Sequence, residues 1–332
     1  MKGANLNAIC LESTHNTRIL AEKKTDIILH LLAHYEINNV ASNYDIDYVK
    51  YISDLKGEKS SSLHEALKEI DDENLVYLSF MPAFFNSIDS LFKGLEYLSA
   101  PNEVMMNGFA KTEAQCLQLL QNVYGNNNLG GLVEFSEIAK FEYEQFFSSY
   151  WESRRKEYLR EINEFKKLWE SNENDIVLAF LRTQGLPAIT VYLSEGMRKN
   201  GRGMRTNDSS VCTIAKMPVN DNEVFVSYYI AVHELLHQVI DGVTQSILKI
   251  DAQQRSLNPD DEGYNIHEQI ENSVILAQHL LMVKTVKNRT KEYYALVSEI
   301  AGMNISNEFE FMTHFKVDDR IRTRLECIVI KE

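Results

Sequence analysis

The sequence predicts a mainly helical α+β fold with a small sheet, in which a helical N-terminal half is followed by a mixed half. Three observations point this way. Only 5 prolines and 14 glycines punctuate the 332 residues, which suits long helices. Apolar residues in the first half recur at three- and four-residue spacing, the period of an amphipathic helix. After Asn172 the texture changes, and two runs rich in strand-forming residues appear. Hydrophobic residues at 44% and charged residues at 25% match a globular chain rather than a disordered one. The length allows one or two domains, and the change of texture places a boundary between 1–172 and 173–332.

The elements follow in chain order. Residues 25–35 carry Ile27, Ile28, Leu31 and Leu32 at helical spacing behind Asp26. Further helices are expected over 61–70, within the Phe-, Leu- and Ile-rich stretch 75–98, and over 112–124. A long helix over 133–171 repeats aromatics from Phe135 to Trp169, which read as core contacts rather than a base-stacking platform. Its charged run Arg154, Arg155, Lys156 and Arg160 alternates with Glu152, Glu157 and Glu161, the pattern of a solvated helix face. A short helix over 175–184 stops at Gly185. Residues 188–193 (AITVYL) and 211–217 (VCTIAKM) are expected strands, joined by a hairpin-like connection over 196–210. Within it Gly201-Arg202-Gly203 lacks the spacing and the terminal Lys-Ser/Thr of a phosphate-binding loop. Helices follow to about residue 317, and 325–330 is expected to form a short final strand.

Acidic residues outnumber basic ones 48 to 34, a formal charge of −14 that repels phosphate backbones and speaks against nucleic-acid binding. The four cysteines form no C-x-x-C pair, which argues against a disulfide framework or a structural zinc knot. The first residues lack the apolar stretch of a signal peptide, and no run reaches the length of a membrane span. A soluble cytoplasmic protein is expected.

The chemistry concentrates in His233-Glu234-Leu235-Leu236-His237, within SYYIAVHELLHQVID. Residues four apart share one helical face, so both imidazoles can reach a single ion. Glu234, one step beyond the first histidine, can act as general base toward a water at that ion. No proline interrupts 223–241, and Gly242 stands where a helix would stop. Two histidines and a glutamate are costly to bury without a partner.

This passage, with its surroundings over 186–282, resembles the active-site helix of the zincin metallopeptidases. The metzincin extension is absent, since Ile240 and Val243 occupy its positions. The resemblance is therefore to the gluzincins, whose third ligand is a glutamate on a later helix. Glu268 and Glu271, at the start of the apolar segment YNIHEQIENSVILAQHLLMVKTV, are the two choices. Glu268 is preferred because Asn272 stands four residues beyond it, where thermolysin-like gluzincins place a hydrogen-bond partner of a ligand histidine. The resemblance also implies that 211–217 is the edge strand pairing with an extended substrate. In general texture the helical half resembles that of uncharacterised bacterial zincin-like proteins.

On this reading His233, His237 and Glu268 hold one Zn²⁺, Glu234 is the general base, and the partner is a peptide or protein substrate. His314 is the preferred oxyanion donor over Tyr264, His279, Tyr293 and Tyr294. The alternative is a zincin-like domain that has lost proteolysis and serves as a metal-binding regulatory module. His30 and His34 are also four apart, but they lack the adjacent glutamate and are crowded by leucines, which reads as structural.

Overall fold

A computed structural model describes residues 8–12, 16–35, 44–70, 73–101, 103–124, 129–186, 188–197, 201–207, 210–255, 259–285 and 289–330. The chain opens with two strands that the sequence reading did not identify, β1 (Ala8–Glu12) and β2 (Thr17–Glu22), paired antiparallel. They are short, and β2 shows its character only in burial, with Thr17, Ile19, Leu20 and Ala21 inside and Arg18 out.

Helices then follow in series. These are α1 (Lys23–His34), α2 (Ile46–Lys56), α3 (Glu58–Lys68), α4 (Ile88–Ser99), α5 (Glu103–Met106) and α6 (Lys111–Tyr124). The stretch expected to be helical over 75–98 divides in two. Residues Glu73–Phe84 form a 3-10 helix containing Pro82, which has no N–H to give an α-helical ladder. The chain then restarts at α4 with a Ser87–Ser90 capping box. The aromatic-rich segment is α7 (Leu129–Glu142), a π turn (Tyr143–Phe147) and α8 (Ser148–Trp169) without a break. Trp151, Phe165 and Trp169 are fully buried, as expected of core aromatics. The helix α9 (Asn172–Thr183) is followed at its C-terminus by Gly185, whose φ of +81° only glycine adopts freely.

Three more strands complete the sheet: β3 (Ala188–Ser194), β4 (Arg202–Asn207) and β5 (Ser210–Lys216). Its order is β1-β2-β3-β5-β4, with β2, β3 and β5 parallel and both outer strands antiparallel to their neighbours. Two corrections follow. The segment 211–217, expected at the edge, lies one strand in, and the supposed connection contains the edge strand β4. Arg202-Gly203-Met204-Arg205 offers no apolar alternation to announce it. The sheet also draws strands from both sides of residue 172, so the change in texture does not mark a boundary of the sheet.

The remaining helices are α10 (Asp221–Arg255), α11 (Pro259–Thr285), α12 (Thr290–Ala301), α13 (Glu308–His314) and α14 (Asp319–Ile330). The α10 helix continues past Gly242 rather than stopping there. The final strand expected over 325–330 is helical. Ile321, Leu325 and Val329, all buried and four apart, make the apolar stripe that seats α14 against α11. The sheet is layered by α8 against β1 and β2 and by α10 against β4 and β5, and these two helices pack together. Then α11 lies along α10, so one helix pair and one sheet edge meet at the motif. No helix among the described residues is long and apolar enough to cross a membrane.

Candidate metal centre

The motif lies in the middle of α10, with Leu235 and Leu236 fully buried and His233, Glu234 and His237 half-buried. The helical period therefore separates a greasy side, held in the core, from a polar side facing a cleft of about 710 Å³. That cleft is walled by Gly201, Arg202 and Gly203 at the sheet edge and by His267, Glu271 and Ile275 on α11.

Both imidazoles are oriented through the same ring nitrogen. Gln278, wholly buried on α11, donates its amide to the Tyr229 carbonyl at 2.8 Å. Its oxygen is thereby turned to accept from Nδ1 of His233 at 3.2 Å. Nδ1 of His237 donates to Asp241 at 2.9 Å, one helical turn along. With each Nδ1 carrying a proton, each Nε2 is left as a lone-pair donor. Those two atoms lie 3.1 Å apart, and the Glu271 carboxylate stands 3.7 Å from the first and 3.6 Å from the second. His233, His237 and Glu271 form the one cluster of potential metal ligands among the described residues.

The donor set fits a tetrahedral cation. Ligands about 2.0–2.1 Å from a common centre are spaced by about 3.3–3.4 Å, close to what the three donors show. Two Nε2 lone pairs at this distance repel each other unless a cation or a proton lies between them. The site's electrostatics reflect that crowding. Burial works against the charged form of His237, but its hydrogen bond to Asp241 and the charges of Asp241, Glu271 and Glu234 outweigh it and raise its pKa. Burial also opposes ionisation of Glu271, yet the two imidazoles beside it hold its pKa below the usual range. Glu234 is pushed up chiefly by burial, opposed by the charges of His233, His237 and Arg202.

Of the two glutamates weighed as third ligand, the structure brings Glu271 rather than Glu268 beside the imidazoles. Glu268 is exposed and outside the cleft, while Glu271 faces the imidazoles. Three residues along an α-helix leave the two side chains about 60° apart in direction and about 4.5 Å apart along the axis, enough to put Glu271 at the imidazoles and Glu268 outside the cleft. Asn272, which favoured Glu268, donates instead to the Lys316 carbonyl at 3.0 Å. The residue preferred as oxyanion donor lies away from the cleft as well. His314 packs its ring against Phe315 on α13 and does not line the cleft. His279 and Tyr293 hydrogen-bond each other at 2.9 Å in the core. The Tyr264 side chain lies outside the described residues.

Four features of the site went unread in the sequence. Asp241 and Gln278 orient the histidines, and Arg202 and His267 face the cleft. Asp241 was legible as the next step of the four-residue spacing after His237. Gln278 was legible as a polar residue inside the apolar run VILAQHLLM. The glycines flanking Arg202 have a steric reason. A Cβ on Gly201 would sit 2.6 Å from Glu234 Cγ, and one on Gly203 would sit 2.4 Å from the Glu234 carbonyl oxygen. Only glycine lets the edge strand lie this close to the motif.

No family model matches this sequence, and neither a curated protein nor a solved structure was found similar to it.

Proposed function

We propose that the chain is a zinc-dependent hydrolase, with peptides as its substrates and His233, His237 and Glu271 as its metal ligands. The observation behind this reading is the convergence of two Nε2 lone pairs and a carboxylate in a cleft, each imidazole held by a separate acceptor at Nδ1. A bound zinc ion would supply Lewis acidity at the scissile carbonyl and acidify the attacking water.

The protein's own residues do the rest. Glu234 lies on the cleft side of α10 between the two histidines, and its carboxylate takes the proton from the water and returns it to the leaving amine nitrogen. Gly201 and Gly203 bring the free edge of β4 against Glu234, where an extended peptide can add to the sheet by main-chain hydrogen bonds. Tyr229, stacked at 13° to the His233 ring, and Ile275 give the cleft apolar walls that limit water.

Zinc-loaded protein and its Glu234→Gln variant would be compared on a peptide panel. Turnover is expected to fall by roughly 10²–10⁴-fold, the usual worth of a general base, with zinc stoichiometry unchanged. Turnover by the variant at the parent rate would sink this mechanism. Zinc bound stoichiometrically with no turnover in either protein would replace it with the metal-binding regulatory module.

A further inference from the structure

We propose that Arg202 anchors a substrate carboxylate, so that this site takes peptides carrying an acidic side chain or a free C-terminal carboxylate beside the scissile bond. The proposal rests on the hydrolase reading above for what happens to that peptide, but not for the anion site itself.

Arg202 is a half-buried guanidinium lining the cleft, and among the described residues it has no carboxylate within ion-pair distance. That is unusual in this acidic chain, where acidic groups are plentiful. Lys23 meets Glu152 at 2.6 Å and Lys56 meets Glu142 at 2.5 Å. Arg154 is bound by Glu195, and Lys216 by Asp45 at 3.1 Å and Glu223 at 3.3 Å. Of the three carboxylates in the cleft, Asp241 is engaged by His237 and Glu271 by both imidazoles, while Glu234 feels the charge of Arg202 without forming an ion pair with it.

The neighbouring arginine on the same strand shows what a structural role looks like. Arg205 closes onto α10 by donating to the Gln238 carbonyl at 2.9 Å. Arg202 reaches the carbonyl of the adjacent Gly201, at 3.3 Å, and the hydroxyl of the buried Tyr44, and its charge also acts on Glu234. Tyr44, buried and neutral, is a dipolar neighbour that leaves the guanidinium without an ion-pair partner. A planar fork with spare donors at the start of an edge strand matches a carboxylate on a peptide laid along that edge.

The test reads binding, with turnover in parallel. Peptide pairs differing only in Asp against Asn, or in C-terminal acid against amide, are titrated calorimetrically into the zinc-loaded Glu234→Gln chain, with and without Arg202→Gln or Arg202→Lys. The acidic member of at least one pair is expected to bind about 10–100-fold tighter. Arg202→Gln should erase that gap and Arg202→Lys should keep part of it. The pair that shows the gap identifies whether side chain or C-terminus supplies the carboxylate. Equal binding of acidic and neutral members, absence of binding by any of them, or a uniform weakening of all peptides in Arg202→Gln would overturn the proposal. A gap that depends on Arg202, without hydrolysis by the wild-type chain, would uphold the anion site and reject the peptidase reading.

Discussion

The molecule contains two histidine pairs four residues apart, and they make opposite use of the same spacing. His30 and His34 on α1 have ring centroids 4.6 Å apart, and His233 and His237 on α10 have theirs 4.8 Å apart. In α1 both rings are wholly buried, and their nitrogens are spent in different directions. His30 joins Tyr48 at 2.8 Å through Nδ1 and Glu142 at 3.1 Å through Nε2, while Nδ1 of His34 turns back to the His30 carbonyl. The nearby carboxylate is already neutralised by Lys56. In α10 the two Nδ1 atoms go to separate acceptors, and the two Nε2 atoms converge on a carboxylate that no Lys or Arg among the described residues pairs with. Spacing alone therefore does not make a metal site. What distinguishes the pairs is the partner at the far nitrogen of each ring and an open cleft in front of the near one.

The largest effects should come from exchanging the two roles. His237→Ala and Glu271→Ala are expected to lose zinc by more than the ~100-fold of a lost supporting hydrogen bond, while the chain stays folded. Glu268→Ala should keep its zinc. His30→Ala should do the reverse, costing about 3 kcal/mol of stability by stranding Tyr48 and Glu142, with zinc content unaffected. Elemental analysis together with denaturant unfolding checks all four. Zinc that survives Glu271→Ala but leaves with Glu268→Ala would break the comparison at its central point.

A finer test concerns the partner at Nδ1. Asp241→Asn keeps an acceptor of the same shape but removes its charge, so zinc affinity is expected to fall by about 10–100-fold without loss of the fold. Competition with a chelator of known affinity measures it. An unchanged affinity would mean that Asp241 is only a neighbour of His237.

How much of this contrast the sequence carried can be read from individual residues. The motif marked His233, Glu234 and His237, and the leucines around His30 and His34 marked that pair as structural. Between the two glutamates the sequence reading preferred Glu268 for its spacing to Asn272, whereas the rotation of α11 against α10, which no sequence pattern carries, puts Glu271 at the imidazoles. The long helices were legible because their apolar period extends over several turns. The strands β1, β2 and β4 were not, because each is five or six residues long and takes its place from pairing rather than from its own pattern. The IVI run near the C-terminus shows the same limit, since strand-favouring residues there serve a helix whose burial repeats every four positions.

The buried pair also predicts a pH signature. Burial, with His30 close by, lowers the pKa of His34 from 6.5 to about 3, so the folded chain holds it neutral. The sign follows from linkage. Its contribution to stability is complete above pH 6.5 and declines as the unfolded state alone takes up a proton, down to about pH 3. Each pH unit in that window removes up to about 1.4 kcal/mol for one such group. Unfolding free energies of wild-type and His34→Gln protein, measured from pH 7 to pH 4, should differ in slope. Parallel slopes would show that the ring is not kept neutral by the fold.

The smallest effect tests whether the proposed metal centre depends on softness in its helix. The α1 helix contains no glycine, whereas α10 has Gly242 immediately after Asp241, exposed and inside the helix. An added Cβ there meets nothing within 4 Å, so Gly242→Ala has no steric cost and gains helix propensity. Stability should rise by about 0.5–1 kcal/mol, seen as a higher melting temperature, with zinc content and turnover unchanged. A stabilised helix with weakened zinc binding would mean that His237 and Asp241 reach their partners only because the helix can bend at this residue. The packing of α10 against α11 would then no longer suffice to explain why one histidine pair converges and the other does not.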